Sequence, residues 1–403
     1  MNLKKIVVSS VTALTLASVG ALAADNANTT LATDGTGDYL VFPYYAATGA
    51  WETHLRVVNT NTKDAVVAKV VFREYKQSAE VLDFPIYLTP GDVWEGTVTI
   101  KDGKVVVKSS DDSLVLADYP QLDKTLAMNP NRGGKNPAFG YVEVFGVAQI
   151  PAVDVDPTFK EKYPLDKEKL VKKFKAELNG HTYTGNEWTG VDANSLYAEE
   201  ILYENNQKLA MTLPATALEG VTGTSANDKR ITGVDTKITD MIQDRNPMPV
   251  LLQMKSALSK QDIYANFYDY ADDTVLLLTQ PLAKYVYNTD HVVEAGFFYH
   301  SLARDTQENS NVQERQETDI SGQDLPPAKK EGCWYTDDDY AVTPHGHEIC
   351  FIDVKKKAGG FENGYVDFTI EDEGGRAIIP VLMSVKKVGG TNVTNVVYTP
   401  YKK

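Results

Sequence analysis

Between Tyr39 and Lys108 the chain is broken into short β-forming runs, and that punctuation constrains the fold more than any other feature. Residues 55–58, 65–72, 81–88, 93–100 and 104–108 are rich in Val, Ile, Thr and aromatic side chains, with turn residues between them. Branched and aromatic side chains fit a pleated, half-buried surface, so each run reads as a strand. Asp102-Gly103 separates two of them. A type I′ hairpin needs positive φ at both central positions, and Asp-Gly tolerates it. Asn59 to Asp64 forms a longer polar turn. Pro43, Pro85 and Pro90 cannot donate to a central ladder and are expected at strand ends or edges. Many short strands with close turns point to a sandwich rather than a parallel α/β sheet. The expected class is mainly β: a tandem or merged antiparallel β-sandwich, Ig-like or jelly-roll-like, with a short helical insertion.

Further along, residues 138–150 give another strand. Residues 166–178 change period: Leu170, Phe174 and Leu178 recur every four positions, and Lys167 to Lys175 supply a polar face. This is a helix, stopped at Asn179-Gly180, and its basic face is either solvated or set against acidic neighbours. Residues 195–203 and 208–212 flank Asn205-Asn206 as a hairpin. Residues 239–259 suggest a helix interrupted by Pro247 and Pro249, and 274–279 a buried strand. Residues 305–330 are polar and read as a loop or linker. Residues 392–398 end the chain as a strand that completes its own sheet or pairs with another chain's edge. No fixed-period repeat is evident.

The expected division is a signal peptide at 1–23, an N-terminal sandwich at 24–152, and an insertion with one helix at 153–190. A second β-rich region at 191–304, a polar linker at 305–332 and a C-terminal β region with a cysteine pair at 333–403 follow. The leader rests on Lys4 and Lys5, an apolar run from Ile6 to Leu22, and the small residues of Ala21-Leu22-Ala23 at a cleavage site. The apolar run contains several Ser and Thr and falls short of a strongly apolar span of about 20 residues. The expected location is therefore outside the cytoplasm: periplasm, cell surface or medium. No cysteine stands near the cleavage site for a lipid anchor, and no later run approaches spanning length.

Formal net charge is −15. Such acidity repels nucleic acid and suits solubility, cation binding or a charged surface layer. The only cysteines are Cys333 and Cys350. In an oxidising compartment they are expected to form a disulfide, worth about 3 kcal/mol in the chain-entropy picture. Two thiols alone are too few for a tetrahedral zinc site.

Chemistry-bearing motifs are weak. His345 and His347, one residue apart, share a side if extended, and Asp337 and Asp339 lie nearby, so these four are the metal candidates. Phe351 stands four positions after His347, so the helical zinc-protease motif is absent. Asp34 to Asp38 and Asp154 to Asp156 offer oxygens to Ca²⁺, but without the twelve-residue loop spacing, and ordinary turn chemistry explains both. No nucleophile elbow, phosphate loop or dinucleotide fingerprint occurs. No cofactor is expected beyond such a Ca²⁺ ion. The chain has 22 tyrosines, and Tyr39, Phe42, Tyr44, Tyr45 and Trp51 cluster early. Exposed rings there, Tyr44 and Tyr45 above all, are candidate contacts for a sugar or another small ligand.

Three blocks carry a resemblance. Leu40-Val41-Phe42-Pro43-Tyr44-Tyr45, Gly49-Ala50-Trp51-Glu52-Thr53 with Val57-Val58-Asn59-Thr60, and Val81 to Trp94 resemble a group of uncharacterised secreted bacterial surface proteins. Cys333-Trp334 and residues 377–383 are similar to the group's C-terminal segment. The resemblance implies an exported envelope protein and adds no mechanism. Trp51 and Trp94 also read as core anchors. The leading expectation is a non-enzymatic cell-surface or matrix component, with itself or other envelope molecules as partners and no nucleic acid. A glycan- or small-ligand-binding module is the alternative, and a hydrolase with a dispersed carboxylate pair the third.

Overall fold

The computed structural model describes residues 29–221 and 248–397 with interruptions, the longest at 114–124, 181–193, 306–317, 320–330 and 333–348. The leader, Cys333, Asp337, Asp339, His345 and His347 lie outside the described residues, and the loop expected at 305–330 does so almost entirely.

The protein is mainly β, built from several antiparallel sheets with three helices among the described residues. The N-terminal strands are β1 (Thr30–Leu31), β2 (Thr36–Gly37), β3 (Tyr39–Ala46), β4 (Trp51–Asn59), β5 (Asp64–Glu74), β6 (Glu80–Leu88) and β7 (Val93–Lys101). They continue as β8 (Lys104–Ser109), β9 (Thr125–Ala127), β10 (Phe139–Pro151), β11 (Leu196–Glu204), β12 (Leu209–Pro214) and β13 (Thr216–Glu219). One sheet runs β1-β13-β3-β10-β5-β6. The facing sheet runs β12-β11-β4-β7-β8-β9, with β2 also on β11. Leu40, Phe42, Val70, Phe72, Phe84, Trp94, Val107 and Val142 fill the space between them.

The hairpins follow local chemistry. Asp102 and Gly103 take φ of 52° and 72°, the positive values that a two-residue I′ turn requires. β11 and β12 pair antiparallel around Asn205, from Glu204↔Leu209 to Glu199↔Pro214. Pro85 lies on β6, an edge strand, where a missing N–H costs no ladder bond. Pro43 departs from expectation, because it sits inside β3. The pairing passes from Gly140↔Tyr45 to Val142↔Phe42, so Pro43 and Tyr44 together oppose Tyr141. This is a β-bulge, the other place a sheet accepts proline.

The N-terminal sandwich does not end at residue 152 as expected. β11 pairs with β4 from Leu196↔Asn59 to Glu204↔Trp51, and β13 pairs with β3. Strands 196–219 therefore belong to the first two sheets, not to a second region at 191–304. The helix Lys167–Gly180 is the insertion. The Asp166 carboxylate accepts the N–H groups of Glu168 (2.9 Å) and Lys169 (3.4 Å), the cap that starts it. Leu170, Val171 and Phe174 are buried, and Phe174 meets Tyr87 edge-on at 5.6 Å. Each large side chain so buried contributes about 1.5–3 kcal/mol. The basic face is not simply solvated: Lys167 reaches Asp92 (3.0 Å) and Asp111 (2.5 Å), and Lys169 reaches Asp156 (2.6 Å).

The second helical element is Met248–Leu258, and Pro249 does not interrupt it. Proline falls in the first turn, where its N–H has no partner to lose. Beyond it a four-stranded sheet orders Ile349–Asp353, Asp273–Thr279, Ile379–Val388 and Thr391–Val397. The last strand thus completes its own sheet. One face of that sheet, with Leu276, Leu278, Ile352 and Leu382, shares a core with Ile263, Phe267, Val366 and Phe368 of a second C-terminal sheet. The other face, with Leu277, Val381 and Met383, joins Tyr39, Val41 and Val67 of the β3–β10–β5 sheet and both long helices in one core. The sandwiches are merged through this shared core. It explains why β5 is buried along almost its whole length: both of its faces are covered.

Candidate functional site

Three places concentrate chemistry. The first is an ionic cluster on the helix-facing side of the β5–β10 sheet. Arg73 Nε donates to Glu143 Oε2 at 2.9 Å, and the Tyr39 hydroxyl donates to Glu143 Oε1 at 2.8 Å. Arg73 Nη1 also reaches the Ser78 carbonyl at 3.3 Å and lies 3.9 Å from Glu80. Lys69 pairs with Asp83 at 2.5 Å, and the hydroxyls of Ser78 and Tyr141 meet at 2.5 Å. Arg73 and Lys69 are 1% exposed and Glu143 0%, so no substrate reaches them from solvent. The carboxylates are spaced by cations rather than facing one another, which is the geometry of a scaffold tie and not of an acid–base pair.

The second place is the Pro43–Tyr44 bulge. The Pro43 carbonyl accepts from Thr279 Oγ1 at 2.5 Å, while the Tyr44 N–H donates to Glu200 Oε1 at 3.4 Å. These two groups leave a planar trans peptide in opposite directions. One peptide unit therefore links the C-terminal sheet on one side to β11 on the other. Glu200 is fully buried, and its Oε2 has no hydrogen-bond partner among the described residues. Burial holds its carboxyl well above the usual carboxylate range.

The candidate ligand residues separate here. Tyr45 is 0% exposed; its ring meets Phe72 edge-on and its hydroxyl donates to the Pro137 carbonyl at 3.1 Å. Burial, with Glu74 and Tyr44 adding to it, raises the phenol above its ordinary range. Tyr45 offers no face to a sugar, because it is needed between the sheets, and that expectation is corrected. Tyr44 is half-buried, 5.0 Å from Phe351 and 6.5 Å from Phe139, so it mainly joins the two halves of the fold. Trp94 is a core anchor as expected, lying across Gly96, where a Cβ would collide with the indole. Trp51 is only half-buried.

Two of the cation-binding candidates within the described residues, Asp34 and Asp156, are committed locally. Asp34 Oδ1 accepts from the N–H and hydroxyl of Thr36, a side-chain turn that precedes β2. Asp156 pairs with Lys169 and accepts from the hydroxyl and N–H of Thr158; the Lys169 contact first, then Thr158, holds its carboxyl below its ordinary range. No three His, Cys, Asp or Glu side chains gather to hold a metal among the described residues. Cys350 lies on the strand Ile349–Asp353 opposite Leu278, and its expected disulfide partner Cys333 lies outside the described residues. No described helix is long and apolar enough to cross a membrane.

The third place is one that sequence reasoning missed: a cleft of about 490 Å³ between the first sandwich and the C-terminal sheets. Five segments meet there: the β1–β2 turn, Tyr197 on β11, the corner between β12 and β13, Leu258 at the end of its helix, and Ile378–Pro380. Its walls are mostly apolar, and among the described residues Asp34 and Tyr197 are the ionisable side chains at its lining. The Tyr197 hydroxyl donates to Glu199 at 3.4 Å; burial first, then that carboxylate, raises its pKa. No local motif announces a cleft assembled from segments so distant in sequence.

Fold and site together define a merged β-sandwich protein with an apolar inter-sheet cleft. Compared with known proteins, the chain matches no family model, no curated protein and no solved structure.

Proposed function

We propose that this is an exported, non-enzymatic surface or matrix protein whose task is structural. The observation that carries the reading is how the charged side chains nearest the core are employed. Arg73–Glu143, Lys69–Asp83 and Lys167 with Asp92 and Asp111 each tie one element of the scaffold to another. The shared core that merges the sandwiches supports the same reading, since it makes the two halves one unit suited to bearing load. The leader sequence, the acidic charge and the resemblance to secreted bacterial surface proteins support export.

Expression with the native leader, followed by envelope fractionation and electron microscopy of the native fractions, tests it. The expected result is a mature chain beginning at Ala24, held with the cell surface or in ordered self-assemblies. A monomer released wholly into the medium, associated neither with cells nor with itself, overturns it.

A further inference from the structure

We propose that the cleft between the two halves of the fold binds a small amphiphile, with an apolar body and a single hydroxyl or ammonium head at Asp34. The reading goes beyond a structural role and does not depend on one.

The volume, about 490 Å³, falls within the usual range for small-molecule sites of roughly 300–1,000 Å³. Leu31, Ala32, Leu258, Ile378 and Pro380 provide an apolar wall, so an apolar body gains by leaving water. The head group is chosen by charge. Among the described residues the lining contains one carboxylate, Asp34, and one phenol, Tyr197, and no Lys, Arg or His. A carboxylate or phosphate head would meet Asp34 with no cation among the described lining residues to offset it. A hydroxyl or ammonium finds an acceptor there. Asp34 Oδ1 is occupied by the two Thr36 donors, while Oδ2 takes no hydrogen bond among the described residues. Asp34 is exposed, so it selects the head at the rim while the body enters the apolar part.

The walls come from both halves: β1, β11 and β13 belong to the first sandwich, Ile378–Pro380 to the C-terminal part. An occupant therefore spans the join and stabilises the whole chain by mass action.

Titration calorimetry of the mature chain with dodecylamine, dodecanol and dodecanoate, all below their aggregation limits, tests this. The expected result is saturable one-to-one binding of the amine and the alcohol, with dodecanoate weaker by at least about tenfold. Thr216→Trp, which fills the cleft from a half-buried position, removes binding of both. Asp34→Asn keeps the Oδ1 acceptor of the turn and lowers amine affinity at least about fivefold, while sparing the alcohol more. Equal affinity for all three probes overturns the proposal. So does amine binding that Asp34→Asn leaves unchanged, or that 0.5 M salt abolishes while the alcohol never binds; either marks general attraction to an acidic surface. If Thr216→Trp fails to fold, the Asp34→Asn comparison and the three-probe ranking still decide.

Discussion

Replacing Glu143 with Gln probes the tie at the centre of the fold. The Arg73–Glu143 contact is 2.9 Å long, with both side chains at most 1% exposed. At an effective dielectric of about 20, two unit charges at that distance attract by about 6 kcal/mol. Several kcal/mol of that is offset by the desolvation of each ion, so the intact pair adds little net stability. Removing one charge is different. Glutamine keeps the shape and can still accept from Tyr39, but Arg73 then retains its burial without its closest carboxylate, with Glu80 at 3.9 Å. The expected loss is about 3 kcal/mol. Urea unfolding followed by tryptophan emission reads it, since Trp94 is wholly enclosed. Arg73→Met combined with Glu143→Leu should cost less than either single change, because an apolar pair removes both desolvation penalties. A loss for Glu143→Gln below about 1 kcal/mol, as expected for an exposed pair such as Glu168–Lys172, refutes the reasoning. Strictly additive single and double changes refute it equally.

Three further outcomes are expected. Gly96→Ala drives a Cβ into the Trp94 indole and should cost about 1–3 kcal/mol, with Trp94→Phe recovering part of it; denaturant midpoints of the two variants and their combination check this. Glu200 has a folded pKa raised above its ordinary 4.5, so its burial costs nothing while both states are protonated and costs progressively more as pH rises from the unfolded towards the folded pKa. Glu200→Gln should therefore match the wild type in acid and become relatively more stable at neutral and higher pH; a constant difference across the pH range of a thermal melt series contradicts it. Cys333 and Cys350 should be recovered as one cross-linked peptide pair by mass mapping of the exported protein without reductant, and two free thiols would reject the bridge.

The local elements were legible because their causes are local. Asp102-Gly103 announces its turn, Asn205-Asn206 its hairpin, and the four-residue spacing of Leu170 and Phe174 its helix. Pro43 misleads for the same reason: a proline shows that a ladder bond is missing, not whether an edge or a bulge accommodates it. The partners of β11 were not legible. Its alternation says that one face is buried, but nothing in Leu196–Glu204 says that β4, more than a hundred residues earlier, lies beside it. The same limit hides Tyr45, whose aromatic character suits a surface platform and a core equally. It also hides the cleft, which has no sequence signature because no single segment forms it.

The place of β11 and β13 in the first sandwich sets the order in which the chain can be finished. β3 and β4 are made early, yet the strands that cover one edge of each lie at 196–219, after the helix Lys167–Gly180. A growing chain that has reached β10 carries two sheets with open, apolar-flanked edges, and such edges invite pairing with a neighbouring chain. Protection at that stage has to come from outside the fold or from speed. Truncation anywhere between Pro151 and Leu196 should accordingly yield aggregates, although a simple reading of the sequence places a domain boundary there.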